Sequence, residues 1–463
     1  MVVQHNMQAA NANRMLNITT GAQSKSTEKL SSGYRINRAA DDAAGLSISE
    51  KMRKQIRGLD KASSNAEDGV SSVQTAEGAL TEVHSMLQRM NELAVQAANG
   101  TNSDTDRGAI QDEISQLTTE IDRVAETTKF NETYLLKGGN GTKDVYMNGH
   151  DAGLKGTLTD SATTATFKVA AGALDAGKSV TIGGKDYTIG STLDETKALA
   201  TAAKAATNTS FTVDDTKYNV DAAGKITKDG DATAKEVAVD DIVKTGSKVS
   251  YDGKTLTAAD IDAATGVDKS DSSVISAAHA VGLMEKELTA ANNIGATKTA
   301  ATAKKAAAYT SKDGVTFDIK KGTAEVADKL SFSLHVGSDA DMTNKITVDI
   351  ETMNSSYLGI KGLNVNDDSG IAGTYAIDAI SDALQKVSEQ RSSLGAVQNR
   401  LEHTIDNLDN VVENTTSAES RIRDTDMAEE MVNYSKNNIL AQAGQSMLAQ
   451  ANQSNQGVLS LLQ

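Results

Sequence analysis

The sequence predicts a mainly α-helical protein with an α+β insert: a long antiparallel coiled-coil-like helix bundle built from both chain ends, with one or more β-hairpin-rich outer domains. Three observations predict this fold class. Apolar residues repeat in heptads near both ends of the 463-residue chain, the composition changes twice along it, and it contains no proline. Because proline breaks helix interiors, its absence permits very long helices.

The first long helix is predicted over residues 52–97, where apolar or small residues recur at the 3–4 spacing of a coiled coil. Gln55 and Gly69 interrupt this seam, and Asn99-Gly100 predicts its end. The two phases of the seam contain Met52, Leu59, Ala66, Val73, Leu80, Leu87 and Ala94, and Ala62, Ala76, Val83, Met90 and Ala97.

Two further amphipathic helices are predicted. The second contains Ile110, Ile114, Leu117, Ile121 and Val124, and it is short enough to fold back on the first. The third runs from Ile377 to Val412 in the C-terminal part of the chain, with Arg391 and Gln398 weakening its seam. Because a narrow apolar stripe must be covered by other helices, the two chain ends are expected to form one bundle.

The extreme C-terminus has a different character, since no charged residue occurs from Asn437 to Gln463. A helix without a charged face is buried on several sides by neighbours, or is disordered until they arrive. A frayed low-complexity tail is the alternative. Its apolar stripe comprises Met427, Met431, Tyr434, Ala441, Leu448, Leu459 and Leu462, and a second set off that stripe comprises Ile439, Leu440, Met447, Val458 and Leu461.

The middle of the chain, residues 138–327, is rich in Gly, Thr, Asp, Lys and Val. Asp-Gly and Gly-Gly turns between alternating residues predict hairpins, and Ala-rich stretches such as 193–206 predict short helices. We expect one or two α+β modules here. The predicted hairpins are residues 179–190, 211–221, 248–258 and 309–319, with another at 329–350.

Composition argues against several functions. The net charge is −16, which disfavours a protein that coats nucleic acid or an anionic membrane. The absence of Cys excludes disulfides and thiol catalysis. No H-E-x-x-H, P-loop, G-x-G-x-x-G or G-x-S-x-G pattern occurs, so no catalytic, metal or cofactor site is predicted. Asp41-Asp42, beside Arg35 and Arg38, are interpreted as an inter-helix turn, with assembly contacts as the functional alternative.

No signal peptide and no transmembrane stretch are visible in the sequence. This pattern favours a cytoplasmic protein, or one that is exported by a route that does not read such signals.

Both ends of the chain resemble bacterial flagellin. At the N-terminal side the resemblance rests on EKLSSGYRINRAADDAAGLSISEKMRKQIRGL (28–59) and QTAEGALTEVHSMLQRMNELAVQAANGT (74–101). At the C-terminal side it rests on residues 330–360, LGAVQNRLEHTIDNL (394–408), AESRIRDTDMAEEM (418–431) and QSMLAQANQ (445–453). It covers residues 1–137 and about 328–463, whereas residues 138–327 resemble nothing specific.

The resemblance implies a structural subunit, not an enzyme, that polymerises into the extracellular flagellar filament for swimming motility. The implied filament-assembly residues are Met427, Met431, Tyr434, Leu448, Leu459 and Leu462. Implied partners are copies of itself, an export chaperone on the C-terminal helix (about 427–463), and the flagellar cap and hook-junction proteins; no cofactor, nucleic acid or membrane is implied. The implied layers are 1–42 with 419–463 innermost, 43–137 with 328–418 next, and 138–327 outermost.

The resemblance also implies a secondary role as a ligand of Toll-like receptor 5. The segment Gln88–Gln96 supplies Arg89 and Leu93, and the second helix supplies Glu113, which match the flagellin residues bound by that receptor. Asn91 departs from the basic residue common there. Leu87, Met90 and Ala94 lie on the seam, so subunit packing is the primary role expected of this segment.

Three alternatives are weighed against the filament subunit. A hook–filament junction protein would share only the terminal helices, and the long match through 28–101 disfavours it. A hydrolase in the 138–327 insert would need a nucleophile or metal constellation, which is not seen. An adhesin in that insert is neither supported nor excluded.

Overall fold

The computed structural model describes residues 6–230, 235–262, 264–367 and 370–460, with side chains as far as Gln453. Its helices are α1 Met7–Ser32, α2 Ala43–Ala97, α3 Asp104–Thr127, α4 Leu193–Ala205, α5 Val239–Ile242, α6 Ala277–Asn292, α7 Ser355–Leu358, α8 Ile371–Arg423 and α9 Met427–Ser460, and a short 3-10 helix is Met342–Asn344. None of the described helices is both long and apolar enough to span a membrane.

The strands are short and fall between α3 and α8. They are β1 Lys129–Phe130, β2 Thr133–Tyr134, β3 Thr142–Tyr146, β4 Thr157–Asp160, β5 Thr164–Val169, β6 Ser179–Ile182, β7 Lys185–Ile189, β8 Ser210–Val213, β9 Thr216–Val220, β10 Ile226–Lys228, β11 Lys248–Tyr251, β12 Lys254–Thr257, β13 Val274–Ile275, β14 Thr302–Lys305, β15 Val315–Lys320, β16 Thr323–Ala327, β17 Leu330–His335 and β18 Lys345–Ile350. The predicted fold class, long terminal helices around a β-rich middle, is confirmed.

The chain divides into two compact units. The first comprises Met1–Ser71, Ser333–Val348 and Ala396–Gln463, and the second comprises Ser72–Phe332 and Asp349–Gly395.

In the first unit, α2 and α8 pack along the predicted seam. Leu59 and Ala62 of α2 contact Leu408 of α8, and Ala66 contacts Leu401 together with side chains of the β17–β18 hairpin. Gly69, which interrupts the heptads, lies where a Cβ would come within 2.2 Å of Leu334 Cδ1. The interruption in the seam therefore makes room for the hairpin.

Helix α2 begins at Ala43 and not near Met52 because Asp42 supplies an N-terminal cap. Its Oδ1 accepts the backbone N–H of Gly45 at 2.9 Å. Asp41 turns the preceding chain by accepting the N–H groups of Arg38 and Asn37. The Arg38 N–H, followed by Lys25, lowers the pKa of the Asp41 carboxyl. The interpretation of Asp41-Asp42 as an inter-helix turn is confirmed.

In the second unit, the end of α2, the start of α8 and α3 form a close-packed bundle. Leu80, Leu87 and Met90 of α2 are fully buried, as are Ile114 and Ile121 of α3. At Gly373 the α8 backbone approaches α2 so closely that a Cβ would lie 2.8 Å from Ala98 N and 3.1 Å from Ala94 O. Neither atom can move away without disrupting the helix end.

Gly373→Ala is expected to lower the free energy of unfolding by about 1–3 kcal/mol, the usual cost of overpacking, despite the better helix propensity of Ala. Gly395→Ala on the same helix is the matched control, because a Cβ there meets no neighbouring atom. We expect the control to raise stability by up to about 1 kcal/mol. Urea denaturation followed by circular dichroism measures both, and equal effects of the two substitutions would contradict the close approach.

Among the described residues, the middle of the chain contains two large hydrophobic cores. One joins α6 to the four-stranded sheet β14-β15-β5-β4 and the three-stranded sheet β13-β7-β6. The other joins α4 to the five-stranded sheet β10-β9-β8-β11-β12. Strands β3 and β16 pair with each other, so the two ends of the insert are hydrogen-bonded together.

The first of these cores also includes Tyr375 of α8, whose hydroxyl donates to Glu287 Oε2 of α6 at 2.6 Å. Burial raises the pKa of the Tyr375 hydroxyl, and Glu287 adds to that shift. A partly buried hydrogen bond thus links the insert to α8, in addition to the pairing of its two ends.

Most of the predicted hairpins are present. Residues 179–190 form β6–β7 around Gly183-Gly184, both at positive φ, and residues 211–221 and 248–258 form β8–β9 and β11–β12. The prediction at 309–319 is wrong. Residues 310–314 form a turn, and the following strand β15 pairs with the preceding strand β14 and with the distant β5, because Phe317 and Ile319 face the shared core.

Candidate assembly surface

Helices α1 and α9 lie antiparallel and form a hairpin of the two chain ends, called here the terminal hairpin. At one end Asn6 Nδ2 donates to the carbonyl of Ala451 at 3.2 Å. At the other end Lys29 Nζ lies 3.5 Å from Glu430 Oε2. At the first end, residues 445 positions apart in sequence are therefore neighbours, as the predicted bundle of both ends requires.

Local signals set the bounds of both helices. Asn6 caps α1 by accepting the N–H of Ala9, and Gly33 ends it at a φ of 77°. Asp426 precedes α9 and accepts the N–H groups of Ala428 and Glu429 at 2.9 and 3.2 Å. These caps satisfy backbone groups that the helix itself leaves unpaired.

The inner face of α9 packs on α1 through small or half-buried residues. Ala441 is buried, and a Cβ at Gly444 would lie 3.3 Å from Leu16 Cδ1. Tyr434 and Leu448, two of the predicted assembly residues, are half-buried. Part of the predicted stripe is therefore partly sheltered from solvent within the subunit.

The outer face of α9 carries several large apolar side chains that are exposed. Met427 and Met431 of the predicted stripe are about half exposed, whereas Val432 and Ile439 are each 67% exposed and Met447 60%. Leu459 lies in α9 but its side chain, like the whole of Leu462, is outside the described residues. A charge-free sequence gives no polar face by which to orient a helix, so sequence reasoning placed Ile439, Leu440 and Met447 off the main stripe.

A groove of about 660 Å³ runs between α1 and α9. Met15 and Leu16 line it from α1, and Leu440, Gly444 and Met447 line it from α9. Met7 and Ile18 add further exposed apolar surface on α1. Large exposed apolar patches of this kind mark association surfaces in soluble proteins.

Tyr34 joins the terminal hairpin to the beginning of α2 and the end of α8. Its ring lies between the guanidinium groups of Arg53 and Arg423, at 5.5 and 4.8 Å. Arg53 donates to the Tyr34 hydroxyl at 3.0 Å, which raises the pKa of that guanidinium. Arg53 and Arg423 also pair with Glu419 and Glu50. Sequence reasoning missed this cluster, because no local pattern reports contacts across more than 380 residues.

The segment matched to a receptor site lies on α2 and α3. Arg89 Nε lies 2.9 Å from Glu113 Oε1, and its Nη1 is 3.1 Å from Glu92 Oε2. The hydrogen bond to Glu113 raises the pKa of the Arg89 guanidinium. Leu93 is only 2% exposed. The structure thus brings Arg89 and Glu113 together at the surface, whereas the side chain of Leu93 is buried.

No group of His, Cys, Asp and Glu side chains among the described residues is arranged to hold a metal ion. The long paired helices and the exposed, uncharged apolar face define the class of this molecule as a self-associating structural protein.

Comparisons with known proteins identify the family. Residues 3–141 match the bacterial flagellin N-terminal helical region, and residues 377–462 match the bacterial flagellin C-terminal helical region. The flagellin of Clostridium tyrobutyricum is 40% identical over 98% of this chain and 100% of its own length. The flagellin of Bacillus subtilis (strain 168) is 36% identical over the full length of both chains. A solved structure of FliC from Burkholderia pseudomallei covers 72% of this chain and 99% of its own, at 21% identity and a TM-score of 0.27.

The chain belongs to the bacterial flagellin family. It is a structural subunit that polymerises into the extracellular flagellar filament, and it is not an enzyme. The predicted family and filament function are confirmed. Full-length identity to flagellins also favours the filament subunit over a junction protein.

Proposed function

We propose that the outer apolar face of the terminal hairpin is the surface through which subunits contact one another in the filament. The observation that supports this is the exposure of Val432, Ile439 and Met447 on a helix without charge from Asn437 onward. Full burial of one such side chain contributes about 1.5–3 kcal/mol, which a solitary subunit forgoes. A heterologous contact that does not close into a ring extends into a filament.

The predicted assembly residues take two roles in this proposal. Met427 and Met431, with Leu459 and Leu462 further along, contact neighbouring subunits. Tyr434 and Leu448 act by holding α9 on α1. The test is polymerisation of a variant with carboxylates at Leu440 and Met447, which is expected to stay folded, soluble and unassembled.

The same reasoning orders the chain radially in the filament. Residues 1–42 and 419–463 form the innermost layer, 43–137 and 328–418 the next layer, and 138–327 the outermost. The pairing of β3 with β16 supports the outer boundary, since it closes the insert at residues 142–146 and 323–327.

Other partners follow from the exposed terminal helices. An export chaperone covers about 427–463 before assembly, because bare apolar helices would otherwise associate early. The flagellar cap and hook-junction proteins contact the same terminal layer at the two ends of the filament.

The secondary role is binding to Toll-like receptor 5 through Arg89, Glu113 and Leu93. Arg89 and Glu113 form an exposed ion pair on adjacent helices, and the buried Leu93 contributes by packing within the bundle. The Arg89–Glu113 surface is accessible in the free subunit. The seam residues Leu87, Met90 and Ala94 are buried there, so they serve packing within the subunit and not receptor binding.

Arg89→Ala is expected to weaken binding of the monomeric protein to the purified receptor ectodomain at least tenfold, the effect of losing an interfacial arginine contact of about 1.4 kcal/mol. Arg400→Ala, an exposed arginine on α8, is the matched control and should bind normally. Surface plasmon resonance gives both affinities. Unchanged binding by Arg89→Ala would refute this site while leaving filament assembly untouched.

A further inference from the structure

The four-stranded sheet of the insert has one face composed almost entirely of threonine and lysine. Alternation along β4, β5, β15 and β14 places these residues on the side away from the core, and all except the half-buried Thr316 are exposed. This threonine–lysine face comprises Thr157, Thr159, Thr164, Thr166, Lys168, Thr302, Lys304, Thr316, Asp318 and Lys320.

The strand register arranges these side chains in three cross-strand rows. The first row is Lys304, Asp318, Thr166 and Thr159. The second is Thr316, Lys168 and Thr157, and the third is Thr302, Lys320 and Thr164. On standard strand spacings, Lys320 lies about 8 Å from Lys304 and about 14 Å from Lys168, measured between Cα atoms.

The other face of the sheet holds this array rigidly. Phe167, Phe317 and Ile319 point into the first core of the insert, and each side chain is at most 1% exposed. The backbone that presents the threonine–lysine face is therefore fixed by packing before any ligand arrives, which lowers the entropic cost of binding.

The polar groups of this face have no partners within the protein. Among the described residues, none of the three lysines forms an ion pair, and none of the six threonine hydroxyls forms a hydrogen bond. With Asp318 counted, the face carries a net charge of +2 (3 − 1) on a chain whose net charge is −16. The threonine–lysine face is therefore locally basic on an acidic molecule.

Protection of the sheet edge accounts for only one of the lysines. Lysine on an edge strand such as β14 blocks unwanted strand pairing, which accounts for Lys304. Lys168 and Lys320 lie on the two central strands, β5 and β15, where both edges are already paired. On these strands the lysines add charge to a solvent-facing side of the sheet that threonine alone would keep polar.

We propose that the threonine–lysine face binds an anionic polysaccharide. The three ammonium groups take the carboxylates or sulfates of successive sugar units, and the threonine hydroxyls exchange hydrogen bonds with sugar hydroxyls, as both donors and acceptors. The charge of the face is complementary to such a polymer, and its flat, rigid surface suits an extended chain better than a compact ligand.

Other anionic partners fit this face less well. It presents no large apolar side chain that could enter a bilayer. It has no aromatic residue on which nucleic-acid bases could stack. An acidic polypeptide could use the lysines, but not the six hydroxyls in the way that a sugar can.

The test measures binding of the full-length protein to heparin, hyaluronate, neutral dextran and polyglutamate by biolayer interferometry. We expect wild-type protein to bind at least one of the two anionic polysaccharides, more weakly as salt rises, and to ignore dextran. Replacing Lys168, Lys304 and Lys320 together by Thr should weaken that binding about tenfold.

Two further variants make the result decisive. The control replaces Lys217, Lys248 and Lys254 of the five-stranded sheet by Thr, which changes the net charge equally and should alter affinity less than twofold. Thr159→Val with Thr166→Val keeps every charge and should still weaken binding. Equal binding by the two lysine variants, unchanged binding by the valine variant, or preference for polyglutamate would overturn the proposal. Circular dichroism confirms that each variant is folded, and polymerisation, scored separately, is expected to be normal.

Discussion

A variant carrying Leu440→Asp and Met447→Asp is expected to remain a folded monomer at concentrations where the wild-type protein forms filaments. Both side chains are about half exposed or more in the subunit, so carboxylates there cost little before assembly. In a filament they would be taken out of water without a partner, which costs several kcal/mol for each ion. The critical concentration should rise more than about a hundredfold.

Sedimentation and electron microscopy at rising protein concentration measure this effect, and circular dichroism reports folding. The matched control adds the same two charges at Thr201 and Ala205, which are exposed on α4 of the insert. The control should polymerise as the wild type does. Normal filaments from the α9 variant would mean that the outer face of the terminal hairpin does not make subunit contacts.

Arg107→Ala is expected to have the second largest effect, lowering the free energy of unfolding by about 3 kcal/mol. Arg107 is only 3% exposed. Its guanidinium donates to the carbonyls of Ala97 and Asp367, each at 3.1 Å, and to that of Asn99 at 3.4 Å. Removing it leaves carbonyls at the end of α2 without a donor, whereas a positive charge there also suits the helix dipole.

Urea denaturation followed by circular dichroism compares this variant with Arg123→Ala. Arg123 is exposed and, among the described residues, forms an ion pair only with Glu120, so its loss should cost less than about 0.5 kcal/mol. Arg107→Lys should fall between the two, because an ammonium keeps the charge but cannot reach three carbonyls in a planar fork. Equal stability of Arg107→Ala and Arg123→Ala would refute the stabilising role of the hydrogen bonds that Arg107 donates to the three carbonyls.

The helices could be predicted from the sequence because they depend on local periodicity. Residues such as Leu80, Leu87 and Met90 lie on one stripe of the helix because of their spacing in sequence, independently of contacts with distant segments. Gly69 was visible as an interruption, but its reason, the side chain of Leu334, comes from a hairpin more than 260 residues away.

The features that escaped prediction depend on contacts between distant segments. Arg107 and Tyr34 are unremarkable in sequence, and each gains its role from groups brought near by folding. The error at 309–319 has the same origin, since β15 pairs with β14 and with β5 from about 150 residues earlier, and not with the residues just before its turn. The threonine–lysine face likewise exists only once four strands are in register.

The pairing of β3 with β16 has a consequence for how this protein can change. The chain leaves the helical core and returns to it on two adjacent strands about 5 Å apart, so the two ends of the insert are close together in space. The residues between these strands can therefore increase or decrease in number, or be replaced, while the path of the long helices stays the same. A replacement domain needs closely spaced chain ends and a surface that covers Tyr375. Both natural sequence variation and protein engineering can therefore exchange the insert at this position.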